Sequence, residues 1–137
     1  MPIVAVVADA NVVLSAVVGK AAGRVFTEFA VTVHITEFKK SEVEEYIPLM
    51  ADKYGLSLEL AALSLKLLPL RVHPLGIYRR QLARALKDIG KRDPEDAHAL
   101  ALARTLRLPL WSNDRDFAAQ SLKRFTTAEL LKALNES

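Results

Sequence analysis

The chain has 137 residues, of which 51% are hydrophobic and 26% charged, a balance typical of a folded domain rather than of a disordered chain. This length suits a single domain over residues 1–137. The absence of cysteine excludes disulfides and thiolate metal sites, and the three histidines do not have the spacing of zinc ligands. The sequence shows neither a signal peptide nor an apolar stretch of roughly 18 residues, so we expect a cytoplasmic protein without a membrane partner. A net charge of +3 is compatible with binding nucleic acid but does not indicate it.

The first half of the chain predicts two strands, each followed by helix. Residues 3–8 (IVAVVA) are continuously apolar, as in a strand covered on both faces of a parallel sheet. Residues 12–30 have a helical pattern that is broken near two glycines, and the β-branched residues 31–36 (VTVHIT) predict a second strand. Ser41 is expected to cap the next helix and Ser57 the one after it.

Leucines are concentrated around the helix that begins near Ser57. We expect most of them to lie in the core, with any excess available to a homodimer or to a partner protein. These leucines are Leu56, Leu58, Leu60, Leu63, Leu65, Leu67 and Leu68.

The second half continues the alternation of strands and helices. Residues 70–74 (LRVHP) are a weak strand candidate, and a basic helix follows over residues 77–89 and stops at Gly90. Asp93 and Pro94 have the residue types of an N-cap and a first helical position.

Three further elements complete the predicted order. Residues 109–114 (PLWSND) form an apolar strand that runs into an acidic turn, where Asp116 is expected to cap a short helix. Residues 124–127 are a possible last strand, followed by a closing helix. The alternation predicts an α/β fold, a three-layer α/β/α sandwich with a central, mainly parallel sheet.

Four acidic residues fall where such a sheet binds its ligands, beyond the carboxyl ends of the strands. Asp9 and Asp114 follow strands, Asp96 lies at a helix start, and Glu42 lies in the first turn of the helix after the second strand. Crowded carboxylates repel one another unless a cation or protons neutralise them. Oxygen ligands without thiolate or imidazole select Mg²⁺ or Mn²⁺, which can activate water and stabilise charge on a phosphodiester.

Each acidic residue also has a purely structural explanation. Asp93, Asp96 and Glu42 can be explained by the helix dipole alone, and Asp114 by turn formation. Asp9 is harder to explain in this way, because serine would cap a helix equally well. Only the joint occurrence of the four residues at the expected sheet edge favours a site.

The four segments ADANVVLSA, TEFKKSEVEEY, RDPEDAHALALA and SNDRDF, in this order, resemble the PIN-domain ribonucleases, including the toxins of VapC-type toxin–antitoxin pairs. The resemblance extends from residue 3 to at least residue 117. It implies a metal site built from Asp9, Asp96 and Asp114, with Glu42 completing the catalytic set. Glu44 and Glu45 compete with Glu42 for its place.

The same resemblance assigns supporting positions to Asn11 and Ser112, and to the further acids Asp93 and Asp116. The chain departs mildly from the family pattern, since alanine at 10 and serine at 112 stand where threonine is commoner. The resemblance implies a Mg²⁺- or Mn²⁺-dependent endoribonuclease with an RNA substrate and an antitoxin as partner. It further implies in-line attack of water, leaving a 5′-phosphate and a 3′-hydroxyl. The excess of leucines near Ser57 leads us to expect a homodimer.

Two other functions remain open from the sequence. A non-catalytic PIN-like module would bind RNA or protein without cleaving, although the intact acidic set argues against it. A phosphoryl-transfer or receiver domain would use Asp9 as acceptor, but the expected acidic pair and late lysine are missing, and a dehalogenase-like site would require aspartate in place of Asn11.

A basic stripe is predicted on the helix over residues 77–89. Its side chains would share one helical face and track RNA phosphates, or would simply form a solvated surface. The residues concerned are Arg80, Arg84, Lys87 and Lys91, with Arg92 nearest the acidic segment.

Overall fold

A parallel sheet forms the centre of the fold. Within residues 3–89, 93–117 and 122–136, which the computed structural model describes, five strands join in the order β3-β2-β1-β4-β5, and every neighbouring pair is parallel. The strands are β1 (Ala5–Ala8), β2 (Thr32–Thr36), β3 (Leu70–His73), β4 (Leu110–Trp111) and β5 (Arg124–Phe125).

The α-helices of the described segments connect these strands and close the chain. They are α1 (Ala10–Val17), α2 (Gly23–Glu28), α3 (Glu37–Lys53), α4 (Leu58–Leu67), α5 (Leu75–Ile89), α6 (Asp96–Leu106) and α7 (Thr127–Asn135). None of them is long and apolar enough to cross a membrane.

The central strand β1 separates two apolar cores because its successive side chains point to opposite faces. Val6 and Ala8 pack into the core shared with α1, α3, α4 and α7, whereas Val7 packs into the core shared with α5 and α6. Trp111 is fully buried in the first of these cores. The predicted three-layer α/β/α sandwich with a parallel sheet is therefore confirmed.

The helix predicted after the first strand is broken where its glycines fall. α1 ends at Val17, and Gly19 adopts a φ of 85°, a left-handed conformation that glycine enters without a steric penalty. α2 begins at Gly23.

The start of α3 corrects the sequence prediction. The helix begins at Glu37, and the Thr36 side chain accepts a hydrogen bond from the Lys39 N–H, so Thr36 is the N-cap. The prediction of Ser41 as the cap is wrong, because the strand runs directly into the helix without a loop. Glu42 consequently lies in the second helical turn rather than in the first.

Two other predicted caps also differ in detail. Asp93 Oδ1 accepts a hydrogen bond of 3.0 Å from the Glu95 N–H. Asp93 therefore caps the turn before α6, whereas the N-cap position of α6 is occupied by Glu95. Asp116 lies inside a single 3₁₀ turn (Arg115–Phe117) and not before it, so its predicted capping position is wrong. The predicted helix stop at Gly90 lies outside the described residues.

The expectation that the leucines around α4 are mostly core is wrong. Leu65 is buried, but most of the others are exposed, because α4 contacts the core through the single face that carries Ala61 and Leu65. Leucines placed on other faces of the helix cannot be buried by the same contact. The exposed residues are Leu56, Leu58, Leu60, Leu63 and Leu67.

Candidate metal centre

The carboxyl edge of the sheet brings together three aspartates from distant parts of the sequence. Asp9 follows β1 and Asp114 follows the adjacent parallel strand β4, so both emerge at the same edge. Asp96 is the first residue of α6. Asp9 also caps α1, since its Oδ1 accepts the Ala10 N–H at 2.8 Å. Its cap role and its membership of the cluster are therefore compatible.

The three aspartates are close enough to share one cation. Each offers a carboxylate oxygen, and these oxygens lie within 4.8 Å of one another. Asp9 and Asp96 are buried, at 3% and 4% exposure, and Asp96 Oδ2 has no hydrogen-bond partner within the described part of the chain. A buried carboxylate oxygen without a partner is costly unless it binds something. An all-oxygen donor set of this kind fits Mg²⁺ or Mn²⁺.

Ser112 and Asn11 both donate hydrogen bonds to one oxygen of the Asp9 carboxylate. The fully buried Ser112 hydroxyl donates to Asp9 Oδ2 at 3.1 Å and accepts the Asp114 N–H at 3.0 Å. Asn11 Nδ2 donates to the same Asp9 oxygen at 3.4 Å. The structure thus places both predicted supporting residues in contact with Asp9.

A lysine that the sequence analysis missed lies at the centre of the acidic residues. Lys39 is 1% exposed, and its Nζ lies 3.1 Å from Asp96 Oδ1, 3.3 Å from Asp9 Oδ1 and 3.5 Å from Glu42 Oε2. A signal for its burial was present in the sequence. Lys39 precedes the buried residues Val43, Ile47 and Ala51 at successive intervals of four, and therefore lies on the inward stripe of α3.

Glu42 approaches the cluster through Lys39. Among the described residues, the group of mutually close metal-ligand atoms contains the three aspartates and not Glu42. Glu44 instead pairs with Lys40 at 3.3 Å, and Glu45 lines a neighbouring groove. Of the three glutamates offered by SEVEE, Glu42 is the one whose carboxylate joins the charged cluster.

The cluster shifts the ionisation of its members. Burial raises the pKa of Asp96 to about 7, and repulsion from Asp9 adds to the rise against the opposing charge of Lys39. Burial likewise raises the pKa of Glu42 to about 7, with a contribution from a hydrogen bond shared with Glu95. For Lys39, burial disfavours the ammonium, but the surrounding carboxylates outweigh burial and raise its pKa well above the usual range.

A groove of about 560 Å³ opens beside Glu42. Its aromatic wall includes Phe38, whose ring stacks on that of His98 with centroids 4.0 Å apart, and Tyr78, whose hydroxyl lies 2.7 Å from His98 Nδ1. Glu45 and other carboxylates complete the lining. Glu42 lines this groove and also pairs with Lys39, so the groove borders the acidic cluster.

The remaining predicted site residues lie apart from the three aspartates or outside the described residues. Asp93 caps the turn before α6, and Asp116 lies in the 3₁₀ turn after Asp114. The basic side chains of α5 are exposed, as either explanation of the stripe requires; they are Arg80, Arg84 and Lys87. Lys91 and Arg92 lie outside the described residues.

Comparison with known proteins extends these observations. None of the curated proteins compared matches the chain. A toxin–antitoxin complex from Klebsiella pneumoniae contains a chain of the same fold, with a TM-score of 0.64 and 18% identity over 89% of this chain and 97% of that one. VapC20 of Mycobacterium tuberculosis, a sarcin-ricin loop cleaving toxin, aligns with a TM-score of 0.58 and 17% identity over 85% and 95% of the two chains.

At these identities the structural likeness shows a shared fold. The sequence itself carries a stronger assignment, because the sequence model of the PIN domain matches residues 7–135. That match includes Asp9, Asp96 and Asp114 and nearly all of the sheet, and the chain therefore belongs to the PIN-domain family.

Proposed function

We propose that this protein is a divalent-metal-dependent endoribonuclease that acts in the cytoplasm as the toxin of a toxin–antitoxin pair. One observation carries the proposal: Asp9, Asp96 and Asp114 offer oxygens within 4.8 Å of one another, and a buried oxygen of Asp96 has no partner among the described residues. Membership of the PIN-domain family and the likeness to VapC-type toxins support it.

The three aspartates are the proposed ligands of Mg²⁺ or Mn²⁺. When bound, such an ion lowers the pKa of a water molecule and stabilises negative charge on a phosphodiester. Asp9 is held for this task by Ser112 and Asn11, which fix its Oδ2. Fixing a carboxylate in this way reduces the reorganisation needed for binding an ion.

Glu42 is the proposed acceptor of the proton from the attacking water. Its carboxylate lines the groove through which substrate and water would arrive, and burial raises its pKa to about 7 in the metal-free protein. A general base is most effective when its pKa lies close to the working pH. RNA as the substrate, attacked in line to leave a 5′-phosphate and a 3′-hydroxyl, is inferred from the PIN ribonucleases that the chain resembles.

The test is incubation of the purified protein with a mixture of structured and unstructured RNAs, with Mg²⁺, with Mn²⁺ or with EDTA. We expect cleavage with metal and none in EDTA, and end analysis should find 5′-phosphate and 3′-hydroxyl termini. Asp96→Asn should be inactive, whereas Asp52→Asn, a change at an exposed residue of α3, should cleave like the wild type.

Cleavage that is equal in EDTA, or that Asp96→Asn retains, would contradict the metal-dependent mechanism. RNA binding without cleavage under every metal condition would favour the non-catalytic PIN-like module instead.

A further inference from the structure

Lys39 places a positive charge inside the proposed metal site. Its ammonium contacts Asp9 and Asp96, which are proposed metal ligands, and Glu42, which among the described residues is not a member of the group of mutually close ligand atoms. A lysine is rarely buried unless it is paired, and here all of its partners are residues of the site. The charge of Lys39 is therefore part of the site and not a surface feature.

The two oxygens of Asp96 divide this site into two sides. Oδ1 accepts the hydrogen bond from Lys39 at 3.1 Å, and Oδ2 is buried without a partner among the described residues. One oxygen is thus satisfied by an internal cation, and the other remains available to an external one. The ion pairs of Lys39 described above are with Asp9, Asp96 and Glu42. Asp114 belongs instead to the group of three aspartates whose oxygens could share a cation.

A second divalent ion would compete with Lys39 for the same space. Ions in two-metal sites lie about 3.5–4 Å apart, and Mg²⁺ holds its oxygen ligands at about 2.0–2.1 Å. An ion bound between Glu42 and the other two carboxylates would need oxygens that surround the Lys39 ammonium at 3.1–3.5 Å. The ion and the ammonium cannot both lie there, for reasons of space and of like charge.

We propose that the Lys39 ammonium occupies the place of a second cation, so that this chain binds a single divalent ion at Asp9, Asp96 and Asp114 while Glu42 holds Lys39. The inference rests on the proposed metal-dependent function and specifies it. It also separates the roles of the acids, since Glu42 is needed for the position of Lys39 and for proton transfer but not for holding the ion.

The experiment counts the Mn²⁺ ions bound per chain, by calorimetric titration of metal-free protein and by the electron paramagnetic resonance (EPR) of bound Mn²⁺. We expect one ion in the wild type, with the six-line spectrum of an isolated Mn²⁺. Lys39→Met keeps an unbranched side chain and removes the charge, and should bind two ions with the altered spectrum of a coupled pair.

Lys40→Met is the matched control, because Lys40 is adjacent in sequence and pairs with Glu44 at the surface. It should bind one ion, as the wild type does. Glu42→Gln provides a second measurement that does not depend on the folding of Lys39→Met. This variant should keep one bound Mn²⁺ with nearly wild-type affinity and lose RNA cleavage.

The outcomes separate this inference from the proposed function. Two ions in the wild type, one ion in folded Lys39→Met, or loss of Mn²⁺ binding in Glu42→Gln would each overturn the role of Lys39 and leave a metal-dependent nuclease intact. A wild-type chain that binds no Mn²⁺ would overturn the metal site itself and the proposed function with it.

Discussion

Ser112 donates a hydrogen bond of 3.1 Å to Asp9 across 103 residues of sequence. The same hydroxyl accepts the backbone N–H of Asp114 at 3.0 Å, so one buried oxygen atom fixes two of the three proposed metal ligands relative to each other. The contact with Asp9 is not local in the way that a helix cap is, because β1 and β4 must already be paired for the hydroxyl to reach Asp9.

We therefore expect Ser112→Ala to weaken metal binding without removing a ligand. Loss of a residue that orients a metal ligand typically lowers metal affinity by about 10- to 100-fold. The free energy of unfolding should fall by about 1–2 kcal/mol, because a buried hydrogen bond is lost. Calorimetric titration with Mn²⁺ and urea unfolding measure the two effects, with Ser41→Ala on the exposed part of α3 as the control. Unchanged Mn²⁺ affinity in Ser112→Ala would show that Ser112 does not orient Asp9 or Asp114.

The raised pKa of Asp96 predicts how stability depends on pH in the absence of metal. Because the pKa is about 7 in the folded protein and about 4 in an unfolded chain, the folded state binds more protons between these values. Protonated Asp96 therefore contributes to the free energy of unfolding. This contribution is fully present below about pH 4 and is lost as the pH rises through 7.

Urea unfolding of the wild type and of Asp96→Asn in EDTA, at pH 5 and pH 8, isolates the effect. Relative to the variant, the wild type should lose at least about 1 kcal/mol between these pH values. Burial lowers the pKa of three histidines, which gives an opposite slope that both proteins share; they are His34, His73 and His98. A difference between the two proteins that does not change with pH would mean that Asp96 is not protonated at pH 5.

Metal should stabilise the folded state through the three aspartates. A free Mn²⁺ concentration of about 100 times the dissociation constant adds about 2.7 kcal/mol to the free energy of unfolding. Thermal melts with EDTA and with excess Mn²⁺ should therefore show a higher Tm for the wild type and for Asp52→Asn. In Asp114→Asn the rise should be much smaller, and a rise equal to that of the wild type would remove Asp114 from the ligand set.

The exposed basic residues of α5 are expected to follow the RNA backbone. Replacing Arg80 and Arg84 by glutamine should weaken RNA binding and reduce the slope of log K against log salt by about 2, since each phosphate contact contributes nearly one unit. Fluorescence anisotropy with labelled RNA at several salt concentrations gives this slope. Lys66 and Lys132, exposed on other helices, provide the matched double replacement. If both double variants behave alike, the stripe is an ordinary solvated surface.

The exposed leucines of α4 are expected to form the contact of the proposed homodimer. Leu60, Leu63 and Leu67 lie on one helical face and are 64%, 48% and 71% exposed. Sedimentation should find a dimer that Leu63→Glu and Leu67→Glu together convert to a monomer, because a charge is costly to bury in an apolar interface. Leu86→Glu on α5 is the control, as Leu86 is 40% exposed away from α4. A monomeric wild type would contradict the homodimer and leave this face to an antitoxin.

The layered fold could be predicted because β1 is a continuous apolar run, β2 is rich in β-branched residues, and strand and helix patterns alternate along the chain. The cap of α3 could not be predicted in the same way. Serine is the better capping residue type, and only the direct passage from β2 into α3 selects Thr36 over Ser41.

The three aspartates of the site could be predicted from the sequence, but the buried lysine could not. Asp9 and Asp114 follow apolar strands and Asp96 starts a helix, so their convergence follows from the topology of a parallel sheet. Lys39 lies beside Lys40, and composition predicts that both are exposed. The spacing from Val43, Ile47 and Ala51 does place Lys39 on the inward stripe of α3. The carboxylates that compensate its buried charge come from Asp9 and Asp96, which are distant in sequence, so no local pattern contains them.

The pairing of β1 with β4 has a consequence for the time at which activity can arise during synthesis. The ribosome adds Ser112 to the chain 103 residues after Asp9; Ser112 directly follows the two-residue strand β4, and Asp114 comes after Ser112. Until that short strand has emerged and paired with β1, the growing chain lacks one of the three aspartates and the hydroxyl that orients another. Under the proposed function, cleavage therefore requires a polypeptide that already contains β4, and a fragment that ends before this strand is expected to be inactive.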